Sequence, residues 1–101
     1  MIVKYYLCRL NGPRPTFPAD ATDAERALMQ EHVRYWMPQI EARKVVVFGP
    51  VMDPAGVWGV AVLELPDDDE PARYTAQDPV LLADAGFSYD VFPMASAIVR
   101  G

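Results

Sequence analysis

The chain has 101 residues, 51% of them hydrophobic, and carries a formal net charge of −5. That length suits one domain spanning residues 1–101. The nine basic residues are scattered from Lys4 to Arg100, so none of them forms a track along a phosphate backbone and no nucleic-acid partner is expected. One cysteine and one histidine exclude an internal disulfide and a closed zinc site.

Residues 2–10 (IVKYYLCRL) are β-branched and aromatic with few breakers, and predict a strand. Both of its faces carry apolar side chains, which suggests cover on both sides. Cys8 lies inside this pattern and reads as a small buried hydrophobe. The next ten residues, NGPRPTFPAD, hold three prolines and a glycine and form a loop.

Thr22 and Glu25 then fit a capping box, which starts a helix running to about residue 42. Met29, Val33, Trp36, Met37 and Ile40 share one broad stripe of that helix. Pro38 predicts a kink or an early end, since it has no N–H and its ring meets the Arg34 carbonyl.

Residues 44–50 and 57–65 are two further strands, joined by the turn-rich VMDPAG, and form an antiparallel hairpin. In the 66–79 stretch a proline followed by four acids suits a helix N-terminus, and that helix should stop near Gln77. Residues 80–87 read as a loop or one helical turn, and 88–99 as the last strand.

The order is β-α-β-β-α-β. Right-handed crossovers place two helices on one face of a four-stranded antiparallel sheet, an α+β, ferredoxin-like sandwich. The other sheet face is left bare, and in so apolar a chain a second copy is its simplest cover. A homodimer packed sheet to sheet is therefore expected. The chain opens without the basic and apolar regions of an export signal, and no stretch is apolar for long enough to cross a bilayer. A soluble, cytoplasmic protein without membrane contacts is expected.

His32, the single histidine, falls about 60° off the centre of the helical stripe, between Leu28 and Trp36. It reads either as a satisfied border residue or as a half-buried imidazole with one nitrogen held and the other offered to a cavity. Asp78 reads as a helix-stop residue before Pro79, or as the acceptor that fixes such a histidine if both helices meet over the sheet. Gly49 and Pro50 end a strand, and a glycine there also lets a ligand approach the backbone. Tyr5 and Arg9 share one strand face and can serve an anionic or phenolic ligand or an interface. Asp53 and Asp90 are further carboxylates with turn and strand-surface roles as alternatives. No P-loop, GxGxxG or GxSxG sequence occurs.

Four features together resemble the YciI-like (YCII-related) family of small bacterial proteins. They are His32 on the first helix, Phe48-Gly49-Pro50, Asp78-Pro79 with Ala85-Gly86-Phe87, and Val91-Phe92-Pro93-Met94. The resemblance implies a dimeric α+β barrel related to muconolactone isomerases and cofactor-free monooxygenases. It also implies a pocket with a histidine and an aspartate, here His32 and Asp78, suspected of acid–base catalysis. One relative removes HCl from a chlorinated hydroxyquinol. This chain departs from the family in two places. It reads EARKVVV (41–47) where members often have a glycine, and its loop after the first strand is long and proline-rich.

The expectation is a cofactor-independent enzyme acting on a small cyclic or aromatic molecule, of isomerase, lyase or dehydrochlorinase type. His32 takes a proton, Asp78 orients it, and Arg9, Tyr5, Gly49 and Pro50 contact the ligand. The alternative is a non-catalytic small-molecule binding or interaction module on the same dimeric barrel.

Overall fold

The β-rich opening of the chain forms β1 (Val3–Asn11), in a computed structural model that describes residues 2–101. It is followed by α1 (Asp23–Glu41), β2 (Val45–Val51), β3 (Trp58–Pro66), α2 (Ala72–Thr75), α3 (Pro79–Leu82) and β4 (Ser88–Met94). The four strands make one antiparallel sheet in the order β2-β3-β1-β4. This is the expected α+β arrangement with ferredoxin-like topology.

Strand register decides which side chains reach the core. Cys8 stands opposite Ala61 and Val91, and Leu10 opposite Gly59 and Tyr89. These residues face the helices. The period of two sends Tyr5, Leu7 and Arg9 to the opposite face. There Val47, Phe92, Val3 and Met94 remain exposed.

One core cluster joins Trp36 of α1 to Cys8, Val45, Ala61, Leu63, Leu65 and Tyr74. A second is built from Leu10, Phe17, Val80 and Phe87, and Tyr89 packs against both. Phe17 comes from the proline-rich loop and meets Phe87 edge to face at 5.3 Å between ring centres. That contact fastens the loop to the end of the sandwich.

The capping box forms as the sequence predicts: Thr22 accepts from the Glu25 N–H, and the Glu25 side chain accepts from the Thr22 N–H. Pro38 does not end α1, which continues to Glu41. The proline sits in the last turn, so only the Arg34 carbonyl loses its partner, and the end is closed by other bonds. The Lys44 N–H donates to the Gln39 carbonyl and the Arg43 N–H to the Ile40 carbonyl, a Schellman closure. Arg43 pays for this with a left-handed φ of 62°.

The second helix departs from expectation. It is two single turns, and neither carries an acidic residue in its first turn. Two of the acids before it are held by side chains instead of by its first turn: Asp67 pairs with Lys4 at 2.9 Å, and Asp69 accepts from the Tyr74 hydroxyl. Pro71 then opens α2 beyond them, and Asp78 caps α3 instead of merely ending α2. β4 ends at Met94, short of residue 99, because Ala95, Ser96 and Ala97 bring little of the bulk that sustains a strand. Among the described residues, no helix is long and apolar enough to cross a membrane.

Candidate functional site

His32 and Trp36 lie one turn apart on α1, so their side chains project from the same face. Both reach Oδ2 of Asp78, His32 through Nδ1 at 2.7 Å and Trp36 through Nε1 at 2.7 Å. The Tyr89 hydroxyl of β4 donates to the same oxygen at 2.6 Å. The other carboxylate oxygen accepts the Val80 N–H at 3.1 Å, the capping bond of α3. Pro79, which follows, occupies the first helical position, where no N–H is needed. Local sequence thus holds the carboxylate, and the fold carries it under α1.

Asp78 is fully buried and His32 is 5% exposed. Burial alone pushes the Asp78 carboxyl up, but the hydrogen bonds from His32, Tyr89 and Trp36 outweigh it and hold it below the usual carboxylate value. The Tyr89 phenol is pushed far up, first by burial and then by the neighbouring Asp78 charge. Asp78 is therefore the anion of the group and Tyr89 stays protonated. With Asp78 ionised, a neutral His32 carries its proton on Nδ1 and its lone pair on Nε2.

His32 also lines a cavity of about 180 Å³ between α1 and the sheet. Met29 and Val33 form the helical wall, while Leu10, Phe48 and Ala61 form part of the sheet wall. Phe17 and Pro18 close it from the loop, and Phe87 and Tyr89 from the start of β4. The lining side chains are aliphatic and aromatic apart from the imidazole. Nε2 has no protein partner, yet among the described residues no buried side-chain nitrogen or oxygen lacks one. Nε2 is accordingly the accessible nitrogen, and the cavity is what it meets. Phe48 packs on the ring with centres 5.3 Å apart and helps fix its plane.

The covering loop is pinned by Arg14, which binds Glu25 through two nitrogens at 2.8 Å and Asp20 through Nε at 3.0 Å. The paired Arg14, with help from the Thr22 backbone, lowers Glu25 to about 2. Capping box, loop and cavity roof are thereby joined.

Of the residues singled out from sequence, the structure brings His32 and Asp78 into direct contact and sets Gly49 and Pro50 in the cavity wall. Arg9 and Tyr5 lie on the opposite sheet face. Arg9 stacks on Trp58 at 4.7 Å, bonds Asn11 through Nε, and borders a separate polar cleft. Tyr5 donates to Glu64 at 2.6 Å. Asp53 accepts from the Ala55 N–H and the Trp58 indole, and Asp90 accepts from Asn11, so both work in surface turns and strands. Cys8 is fully buried, and burial raises its thiol to about 11.

Sequence reading does not single out Tyr89 or the polar edge of Trp36. The available signal is that a buried phenol or indole needs an acceptor, and Asp78 is an acceptor in a segment that packs under α1.

No curated protein matches the chain. The YCII-related domain does, over residues 6–95, and this stretch includes the His32–Asp78 contact, the cavity walls and all but the first residues of the sheet. The chain belongs to the YCII-related family.

Proposed function

We propose that the protein is a cofactor-independent acid–base catalyst, with His32 as the base and a small, mainly apolar cyclic molecule as substrate. The observation that carries this reading is the division of labour on the imidazole. Nδ1 is held by Asp78 and Nε2 opens into the apolar cavity.

In the proposed step a substrate C–H or O–H proton moves to Nε2, and the imidazole becomes an imidazolium. Asp78, 2.7 Å from Nδ1, stabilises that charge without taking the proton. Nε2 then returns the proton, either to another atom of the substrate in an isomerisation or to a departing group in an elimination. Help of this kind contributes roughly 10² to 10⁴-fold. Phe17, Phe48 and Phe87 exclude water from the reacting atoms. The volume, about 180 Å³, suits a single substituted ring, given that a cavity of roughly 150 Å³ accepts benzene. Gly49 and Pro50 are retained as wall contacts, whereas Tyr5 and Arg9 are assigned no substrate contact.

A second copy is proposed to cover the open sheet face, where Val47 and Phe92 are each about half exposed. This preserves the sheet-to-sheet homodimer expected from the sequence.

The experiment is hydrogen–deuterium exchange of small cyclic C–H acids, such as enolisable ring ketones, followed by NMR in deuterated water. Exchange that His32→Gln slows by at least about tenfold supports catalysis. Ligands that bind in the cavity without exchanging or reacting would leave the non-catalytic binding module as the correct reading.

A further inference from the structure

Asp78 accepts four hydrogen bonds: three to Oδ2, from His32, Trp36 and Tyr89, and one to Oδ1 from the Val80 backbone. A carboxylate offers about two lone-pair sites on each oxygen, so Oδ2 is fully engaged. Two of the donors have no place in the proton step proposed above. The indole of Trp36 sits in the core, and the Tyr89 hydroxyl is turned onto Asp78 although its ring lines the cavity.

We propose that Tyr89 and Trp36 are positioning residues for His32 and act through Asp78. By loading the oxygen that His32 also uses, they keep Asp78 an acceptor that never holds the proton. Nε2 is then the single atom at which a proton arrives and leaves. They also fix the direction of the carboxylate, and with it the tautomer and plane of the imidazole. This rests on the acid–base reading of the cavity.

The surroundings leave few other groups to do this. α1 contributes Tyr35 besides His32 and Trp36, β4 contributes Tyr89, and β1 contributes the buried Cys8 thiol near Tyr89. Phe48 of β2 faces the imidazole without a titratable group. No lysine or arginine bonds to Asp78, so the hydrogen bonds from His32, Tyr89 and Trp36, together with the charge His32 can carry, offset its burial.

The test is Tyr89→Phe, which keeps the ring and removes the hydroxyl. The Asp78 carboxyl carbon is followed by NMR against pH, together with the imidazole nitrogens. The Asp78 midpoint is expected to rise by about one pH unit, a tenfold gain in proton affinity, and Trp36→Phe should move it the same way. An unchanged or lowered midpoint in a folded Tyr89→Phe protein overturns the proposal.

A second measurement needs no substitution. Biosynthetic 3-fluorotyrosine makes the phenol a stronger donor, and of the five tyrosines only Tyr89 bonds to Asp78. The Asp78 midpoint should fall on this labelling, and a midpoint that stays or rises counts against the role. Both titrations read proton affinity whether or not a substrate turns over. Movement of Asp78 alongside exchange that His32→Gln fails to slow would sink only the catalytic reading.

Discussion

Nδ1 of His32 lies 2.7 Å from Oδ2 of Asp78, across 46 positions of sequence, and both side chains are buried. Removing the carboxylate strands three side-chain donors, two of them on the buried His32 and Trp36. Asp78→Ala should therefore destabilise the fold by about 3 kcal/mol or more, well beyond the loss of one ordinary hydrogen bond. Asp78→Asn keeps the shape and one acceptor oxygen, and should cost less, about 1–3 kcal/mol. Denaturant unfolding of the two variants measures both, and equal costs would contradict the assigned network.

Acid should weaken the protein in a defined window. The folded-state values of Asp78 and Glu25 both lie below the ordinary carboxylate value of about 4, Glu25 at about 2. Such groups contribute stability above their unfolded values and lose it as pH falls through the folded ones. Unfolding midpoints should thus stay level from neutrality to about pH 5 and then decline towards about pH 2. Arg14→Gln removes the chief partner of Glu25 and should flatten part of that decline, visible in the same stepped-pH titration.

Arg43 occupies a left-handed conformation in the Schellman closure of α1 and is exposed. A side chain there carries a steric cost that glycine avoids. Arg43→Gly should stabilise the fold by about 0.5–1 kcal/mol, despite the added freedom of the unfolded chain. Thermal and denaturant unfolding test this directly. A loss of stability would mean that the arginine makes favourable contacts outweighing its backbone strain.

Self-association through the open sheet face should be abolished by a charge at its apolar positions. Phe92→Glu, on the face opposite the cavity, is expected to convert a dimer into a monomer in sedimentation velocity. Binding of small ligands in the cavity should persist. Wild-type protein that sediments as a monomer at micromolar concentration would remove the second copy from the picture.

The topology was legible because strands and caps carry strong local signals: IVKYYLCRL, the Thr22–Glu25 box and the hairpin all stand within a residue or two of their expected places. The orientation of β1 was not. Both of its faces are apolar, so only the pairing with β3 and β4 shows that Cys8 and Leu10 face the helices while Tyr5 and Arg9 do not. Asp67 to Glu70 resemble a helix start, but Lys4 at the far end of the sequence claims Asp67, which local patterning does not reveal, and Tyr74 five positions on takes Asp69. The closeness of His32 and Asp78 is likewise a product of tertiary packing: helical position and topology leave the pair open as one alternative, and the family resemblance favours it. Trp36 read as core and is core, yet its one polar atom also serves the site.

β1 separates two surfaces, the cavity side and the open sheet face for which a second copy is proposed, and alternation along it assigns even-numbered residues to one and odd-numbered residues to the other. Substitutions at Leu10 can therefore reshape what the chamber accepts while leaving the odd-numbered side untouched. Changes at Leu7 or Arg9 can retune that side without disturbing the imidazole. A strand of nine residues gives this small domain two independently adjustable characters.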